Sequence, residues 1–442
     1  MSAEREFATE PGVGSASSLD PSARLDAGST SLDAGSPSGS GLDRAALLAL
    51  QRHVVETLAR LDRTPCSEGE REAAHWLAAR LSAIGGVEVA LEDEHSWGTF
   101  PPTSTGLGVL GVAGALLALA GRRVLGALLA LGAFAGIVDE AHNGPRIVRR
   151  LVRRRKDTVN VVARAGDPDA EHTLVVHVHH DAPQTGLVFD QTLQRRVHEL
   201  APGLLEKFKQ PLPQWWVGLA GPLSTFLGAL SRRPRLVKAG LAVGTLGTLL
   251  IADVWRSETV PGANDNLSGV AVLVGLAELL RERPVPGLRV LLVSCGAEET
   301  LQDGIRAFLA RHRDELDPAR TAFVNLDTVG SPRLLLLEGE GPIRMEDYRA
   351  PWLRELIALH AERLGTPLLR GYRARASTDS VIPSRAGYPT AALVSVCDWL
   401  SPANYHLPSD VPANLNYETV ARTTHLVHEL AGSLPAALAE AR

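Results

Sequence analysis

Residues 262–269 of this 442-residue chain read GANDNLSG and lead into an apolar segment, residues 268–283, whose spacing predicts a helix. Asn, Asp and Gly favour turns, so Asp265 is predicted to lie in a tight turn at the start of that helix. Short runs rich in Val and Leu, such as residues 173–178 and 288–294, indicate strands on either side of it. The alternation predicts an α/β fold with a mixed, mostly parallel central sheet flanked by helices.

Side chains of the types that bind metal ions lie in this turn and at or just after several of the predicted strands. They are His179, Asp265, Glu298, Glu299, Asp327 and His406. The carboxyl ends of parallel strands meet at one edge of a sheet, which is where ligands bind in such folds. Zinc binds imidazole nitrogen and carboxylate oxygen, and two zinc ions ~3.5–4 Å apart can share a bridging carboxylate and a bridging hydroxide.

This donor inventory predicts two zinc ions per chain. His179 and Asp327 would hold one ion, Glu299 and His406 would hold the other, and Asp265 would bridge them. Each residue alone has an ordinary structural explanation, such as a surface histidine, a turn or a helix start. The prediction therefore depends on their occurring together.

Two further residues are predicted to support the chemistry without being metal ligands. Glu298 would be the general base, taking a proton from the bridging water and delivering it to the leaving amine. Asp181 would accept the other ring N–H of His179 and so fix the tautomer of that ligand.

Several stretches resemble the zinc aminopeptidase family that includes bacterial leucyl aminopeptidases, aminopeptidase Y and the glutamate carboxypeptidases. They are residues 175–181 (VVHVHHD), 262–269 (GANDNLSG), 296–299 (GAEE), 325–330 (NLDTVG), Thr378-Asp379, and Tyr405-His406 with Asp410. The resemblance implies a zinc-exopeptidase fold, the same five metal ligands and a catalytic role for Glu298. The chain departs from the family at Leu301, where Gly is usual, and at Ser380, where His is frequent.

The function predicted from these residues is a metallo-exopeptidase acting on peptides, with removal of the N-terminal residue favoured. Asp379 and Tyr405 are candidate substrate contacts. The alternatives are a carboxypeptidase, a dipeptidase or a glutaminyl cyclase on the same scaffold, or a non-catalytic family member. Retention of both His179 and Asp327 argues against a single-zinc cyclase, and retention of the whole set argues against a non-catalytic member.

Two inserted apolar hairpins, residues 98–138 and 212–254, interrupt the predicted peptidase domain, and each has a basic tip. The pattern is typical of membrane hairpins, although the short apolar runs would also fit a buried helical subdomain. We favour the membrane, and the bacterial inner membrane in particular. The basic residues after the first hairpin favour a catalytic domain that faces the cytoplasm.

Composition limits the remaining choices. The net charge of −5 gives no reason to expect nucleic-acid binding, and three cysteines without close spacing give no disulfide framework. Residues 1–41 are rich in Ser, Gly, Asp and Pro and predict a disordered tail, which leaves residues 42–442 as the peptidase domain. No secretory signal peptide is predicted. The sequence leaves the oligomeric state open.

Overall fold

The computed structural model describes residues 42–201, 203–204, 207, 209 and 215–441. The predicted disordered tail, residues 1–41, lies outside these residues. The tail and the domain boundaries therefore stay predictions.

One mixed sheet organises the described residues. Its strands are β1 Glu88–Ser96, β2 Lys156–Gly166, β3 His172–His179, β4 Leu288–Cys295, β5 Thr321–Leu326, β6 Arg333–Glu340, β7 Glu346–Asp347, β8 Leu368–Ala374 and β9 Thr390–Val396. Their spatial order is β1-β2-β4-β3-β5-β9-β6-β7, and β8 pairs with β6. The central strands β4, β3, β5 and β9 are parallel, whereas β1, β2, β6 and β7 extend the sheet through antiparallel pairs. The predicted mixed sheet is confirmed, and its parallel ladder forms the centre.

The central strands are covered on both faces, which explains why they read as continuous apolar runs. Every residue of β5 and of β9 is buried. In β3, Leu174 and Val176 join the core on one face, and Val175 joins the core on the other. Successive side chains of a strand point to opposite faces, so a strand between two helical layers must be apolar throughout.

Helices form the two outer layers and the inserted hairpins. They are α1 Arg44–Leu58, α2 Glu68–Ser82, α3 Pro101–Leu119, α4 Arg123–Ala141, α5 Ile147–Val152, α6 Thr192–Leu200, α7 Trp215–Leu230, α8 Pro234–Arg256, α9 Ser268–Glu282, α10 Asp303–His312, α11 Pro351–Arg363, α12 Val381–Arg385 and α13 Tyr417–Glu440. Helices α1, α2, α9, α11 and α13 cover one face of the sheet, and α10 and α12 cover the other.

The sequence does not predict β6, β7 and β8. Every residue of β8 is only partly buried, and its sequence LLRGYRA shows neither a continuous apolar run nor alternation. β7 has two residues. β7 and β8 are held by their pairing with β6, a long-range contact that local sequence patterns do not report. β6 itself contains a buried apolar run, residues 334–337, so a local signal for it was present and was missed.

The two predicted hairpins are present as helix pairs, α3 with α4 and α7 with α8, and the pairs pack together as a four-helix bundle. Three of these helices (α3, α4 and α8) are long and apolar enough to cross a membrane, and α7, with 16 residues, is shorter. In the most apolar stretch of each long helix, at most 44% of the residues are buried. Large apolar side chains such as Val124 (77% exposed) and Leu128 (61% exposed) cover the outside. The bundle is therefore not a subdomain buried inside the protein.

Small residues hold the bundle together. Gly221 of α7 lies against Gly244 of α8, where a Cβ added to Gly221 would collide with the backbone of Gly244. Gly114 and Gly126 make a similarly close contact between α3 and α4. Glycine at a helix interface lets two backbones approach, which is the usual way in which helices associate in lipid.

Substituting Gly221→Leu is expected to destabilise the bundle by about 3 kcal/mol, because the new side chain must push α7 and α8 apart. The measurement is the thermal unfolding midpoint in a mild detergent. The matched control is Gly106→Leu on α3, since Gly106 is exposed and an added Cβ meets no atom within 4 Å. Equal midpoints for the two variants would contradict the close contact between α7 and α8.

Candidate metal centre and active site

Three neighbouring strands bring most of the predicted site residues to one edge of the sheet. His179 is the last residue of β3, Glu298 and Glu299 follow β4, and Asp327 follows β5. β3 lies between β4 and β5 and is parallel to both. The carboxyl ends of these strands therefore meet, as the sequence predicts.

The octapeptide that contains Asp265 forms a turn before α9 and is tied down by its two asparagines. The side-chain amide of Asn266 donates to the carbonyl of Leu326 at the end of β5, and its oxygen accepts from the backbone N–H groups of Thr328 and Gly269. The Asn264 side-chain oxygen accepts from the N–H of Gly330. The asparagines thus fix Asp265 beside the loop that carries Asp327.

Asp410 supports the same turn from the opposite side. Its carboxylate accepts hydrogen bonds from the backbone N–H groups of Asn264 (2.8 Å) and Asp265 (3.1 Å). Asp410 belongs to one of the stretches that resemble the family, but the sequence predicts no role for it. Its position in the sequence, 145 residues after Asp265, carries no signal of this contact.

Arg63 fastens the site to the end of α1. Its guanidinium is fully buried and donates to the carbonyl oxygens of Leu58, His180, Pro261 and Gly262. Burial lowers the pKa of Arg63 to about 10, although nearby carboxylates act in the opposite direction. Because this pKa lies well above 7, the guanidinium stays charged at neutral pH. This residue was not predicted from the sequence.

Replacing Arg63→Met is expected to lower the free energy of unfolding by at least about 3 kcal/mol, because several buried carbonyls lose their donor at once. Arg60→Met is the control, since Arg60 lies just after the same helix and is exposed. We expect the control to stay within ~0.5 kcal/mol of the parent. Urea unfolding followed by circular dichroism measures both, and similar midpoints would contradict the role assigned to Arg63.

The predicted ligands converge into two sets of donors that share Asp265. Nε2 of His179 lies 3.3 Å from Oδ1 of Asp265, and Nε2 of His406 lies 3.3 Å from Oδ2 of the same carboxylate. The first set is His179, Asp265 and Asp327, and the second set is Asp265, Glu299 and His406. Within each set, one donor atom from every residue lies within 4.8 Å of the others. The structure thus brings the five residues together. Donor atoms of His179, Glu298 and Glu299 also lie within 4.8 Å of one another, so the division of the ligands between two ions stays a prediction.

Asp181 lies behind His179 and also organises the turn after β4. Its Oδ1 is 3.4 Å from Nδ1 of His179, which is longer than a usual N–H···O bond, so Nδ1 faces Asp181 while Nε2 faces Asp265. The Asp181 carboxylate accepts from the backbone N–H groups of Glu298 (3.1 Å) and Glu299 (2.9 Å). These hydrogen bonds to the turn after β4 were not predicted, and they hold both glutamates at the site.

Glu70 reinforces this turn. Ser67 caps α2 by accepting from the N–H of Glu70, which is half of a capping box. The Glu70 carboxylate accepts from the backbone N–H groups of Ala297 and Cys66 and from the hydroxyl of Thr158. Glu70 therefore supports the residue immediately before Glu298.

The site gathers seven carboxyl groups away from bulk water, where their ionised forms repel one another. Its carboxyl groups are Asp181, Asp265, Glu298, Glu299, Asp327, Asp379 and Asp410, each at least about nine-tenths buried. Burial and the charge of Asp265 raise the pKa of Asp327 to about 7, and burial raises the pKa values of Glu298 and Glu299 well above their usual range. Burial acts against ionisation of Asp265 too, but hydrogen bonds from His179 and His406 hold its pKa low. Divalent cations would relieve this repulsion, so the donors fit zinc by chemistry, geometry and charge.

Comparison with known proteins agrees with this geometry. Residues 247–431 match the model of Peptidase family M28. This segment is similar to a peptidase family M28 domain. The family resemblance predicted from the motifs is confirmed at this level. His179 and Asp181 precede the matched segment, because the second hairpin separates them from Asp265.

Solved structures share the fold. A leucine aminopeptidase precursor from Bacteroides thetaiotaomicron has a TM-score of 0.52 and 12% identity, covering 89% of this chain and 98% of its own. A glutaminyl cyclase from the same organism has a TM-score of 0.52, 13% identity and the same coverage. A Zn-dependent exopeptidase from Parabacteroides distasonis has a TM-score of 0.50 and 13% identity, with coverage of 89% and 98%. No curated protein sequence matches the chain.

The candidate metal centre opens into a cavity of about 400 Å³. Asp265, Glu298, Glu299, Asp327 and His406 line one end of it. These residues therefore face a space that a substrate can enter, whereas His179 lies behind them and does not line the cavity.

Aromatic rings form a wall of the cavity beside the second donor set. The ring of Phe189 lies 4.1 Å from the His406 imidazole, and the Tyr405 ring lies at the same distance from it. Tyr405, a predicted substrate contact, lines the cavity. Phe189 does as well, although no sequence motif marks it.

Asp379, the other predicted substrate contact, lies behind the cavity wall. It is 1% exposed, and the adjacent Thr378 lines the cavity whereas Asp379 does not. Burial raises the pKa of Asp379 to about 8. This placement does not favour Asp379 as a direct anchor for a substrate amine.

Leu301 is the departure from the M28 pattern that reaches the cavity. Its φ is +72°, in the left-handed region that glycine adopts freely and a leucine does not. The backbone thus keeps a conformation suited to the usual Gly while an isobutyl group lines the cavity. The Leu301 side chain therefore occupies cavity space that a glycine would leave open.

Proposed function

We propose that this chain is a two-zinc exopeptidase that removes the N-terminal residue of peptides. The observation that carries the proposal is the position of Asp265, whose two oxygens face different imidazoles, those of His179 and His406. A carboxylate in that position can bridge two metal ions. Asp327 and Glu299 would then each offer one further oxygen, Asp327 beside His179 and Glu299 beside His406.

Zinc held by these residues would supply Lewis-acid chemistry and a nucleophilic hydroxide at neutral pH. The side chain of Glu298 is 7% exposed and accepts a hydrogen bond from Nε2 of Gln302 at 2.7 Å through Oε1. This bond fixes the carboxyl group at the cavity, where it can take a proton and deliver it to the leaving amine.

The experiment compares a short peptide that has a free N-terminus with its acetylated twin, using detergent-solubilised protein before and after chelation. Cleavage of the free peptide alone, lost on chelation and restored by zinc, is the expected result. Equal cleavage of both peptides would indicate a carboxypeptidase or an endopeptidase. Release of ammonia from a peptide with N-terminal Gln, without hydrolysis, would indicate cyclase chemistry instead. No turnover of any of these peptides would contradict the proposal.

The proposal includes a membrane location for the four-helix bundle. The apolar outer faces of α3, α4, α7 and α8 support it. Resistance of the protein to extraction from membranes by alkaline carbonate is the expected result. Because α13 ends at Glu440 on the peptidase domain, green fluorescent protein or alkaline phosphatase fused at the C-terminus reports which side that domain faces. A fluorescent fusion with inactive phosphatase would agree with the cytoplasmic side favoured by the basic residues.

A further inference from the structure

The cavity at the donor sets continues between the helices of the four-helix bundle. On α7 its lining residues are spaced as one helical stripe that includes Trp215, Gly218 and Pro222. On α8 the corresponding stripe includes Gly244 and Ile251. The cavity is therefore bounded by the inward faces of the helices and is not a groove on the outside of the bundle.

The cavity reaches well into the bundle. On α3 it is lined as far as Gly108, seven residues after the helix begins at Pro101, which corresponds to about 10 Å along the axis. On α8 it is lined from Gly244, twelve residues before the helix ends at Arg256, or about 18 Å. Both distances start from the helix ends that adjoin the peptidase domain.

The two ends of the cavity differ in chemistry. Outside the bundle the lining carries polar groups: the carboxylates of the donor sets and the His406 imidazole lie there, together with the charged residues Asp190, Lys209 and Arg373. Among the described residues of α3, α4, α7 and α8, those that line the other end carry no charge, and most are Gly, Ala, Val, Leu or Ile. A molecule that fills the whole cavity must combine a polar group that the metal site can bind with an apolar tail that the bundle can accept.

We propose that the preferred substrates are peptides with a long apolar tail on the leaving-group side, and that the tail lies inside the bundle during cleavage. The inference rests on the proposed aminopeptidase function. Because an aminopeptidase leaves only one residue on the amino side of the scissile bond, a long tail belongs to the leaving group. The apolar outer surface of the bundle places this cavity in the layer where such molecules concentrate.

Two kinds of molecule carry such a tail: a lipidated peptide with an alkyl chain, and a membrane-inserted peptide with a run of apolar side chains. The test uses leucyl-alanine amides of methylamine, butylamine and octylamine, together with a leucyl-alanine peptide extended by six leucines. The protein is reconstituted in lipid nanodiscs, and kcat/KM is measured for each substrate.

The expected result is a rise in kcat/KM of at least roughly a hundredfold from the methylamide to the octylamide, since each fully buried methylene contributes about fourfold. In Gly218→Leu the rise is expected to disappear while methylamide cleavage stays unchanged. Gly218 lies on the cavity stripe of α7, and an added Cβ there meets no atom within 4 Å, so a leucine fills the cavity without forcing the helices apart.

Gly132→Leu is the matched control. Gly132 lies on the exposed face of α4, and an added Cβ there also meets no atom within 4 Å. Because all variants are compared on the same substrates in the same lipid, partitioning of the substrate into the bilayer cancels. Ile251→Trp provides a second way to fill the cavity should Gly218→Leu fail to fold. The source of the tail is identified by the substrate whose kcat/KM falls in Gly218→Leu. A fall for the octylamide alone indicates a lipidated peptide, and a fall for the leucine-extended peptide alone indicates a membrane-inserted peptide.

Equilibrium binding separates this inference from the proposed activity. The same series is titrated onto Glu298→Gln protein, with and without Gly218→Leu. One outcome is that the octylamide binds tightly, that Gly218→Leu abolishes this binding, and that the parent cleaves none of the substrates. That outcome would support the tail site and contradict the aminopeptidase activity. Cleavage that is independent of tail length, or a rise that Gly218→Leu leaves intact, would overturn the tail site and leave the activity standing.

Discussion

A Glu298→Gln variant is expected to retain its metal ions and to lose peptide hydrolysis by roughly 10²–10⁴-fold, the range typical of removing a general base. The carboxamide has nearly the shape of the carboxylate but cannot take up a proton. Its oxygen can still accept the hydrogen bond from Gln302 that holds the side chain at the cavity. The loss should therefore appear mainly in kcat, with little change in KM.

The measurements are kcat and KM for a short peptide with a free N-terminus and metal content by mass spectrometry. Glu278→Gln is the matched control, because Glu278 lies on α9 and forms an ion pair with Arg80. We expect the control to keep full activity. If Glu298→Gln kept more than about a tenth of the activity while holding its metal, proton transfer would have to be assigned to another group.

An Asp265→Asn variant is expected to lose both metal ions and to show hydrolysis no higher than background. Oδ1 of Asp265 faces His179 and Oδ2 faces His406, so both donor sets depend on its charge. The amide that replaces it offers one neutral oxygen and a nitrogen that cannot bind a cation. Zinc added to the parent should raise the thermal midpoint by linkage, and zinc added to the variant should not.

Two companion variants test whether Asp265 is shared. Asp327→Asn and Glu299→Gln each remove a ligand from a single donor set, so each should release about one zinc ion and retain the other. The zinc-to-protein ratio after gel filtration distinguishes the cases. If Asp265→Asn also retained one ion, the bridging role would be wrong and the two sets would be independent.

The positions of the candidate metal ligands were predictable because their signal is local. His179, Glu298, Glu299 and Asp327 each stand at or just after an apolar run that is recognisably a buried strand, and the parallel sheet makes such strand ends meet. The motif around Asp265 combines turn-forming asparagines with an apolar helix, so its local conformation was also predictable. The structure adds what each asparagine binds.

The groups that hold these ligands in place were not predictable. Arg63, Glu70 and Asp410 act through hydrogen bonds to backbone groups that are distant in sequence. Any arginine or carboxylate of the right length could make such bonds, so their sequence context is ordinary. The edge strand β8 was missed for a similar reason, since only its pairing with β6 makes it a strand.

The sequence by itself determined the fold class, the family, the five candidate ligands and the presence of two apolar hairpins, because periodicity and residue chemistry act within a few neighbouring residues. Only the tertiary structure decided that the hairpins join into one bundle, that their glycines face inward, and that the metal site opens between them. A cavity is the space left between packed elements. Its shape depends on contacts between segments more than 100 residues apart, as when Gly108 meets Thr248, and no local pattern records such contacts.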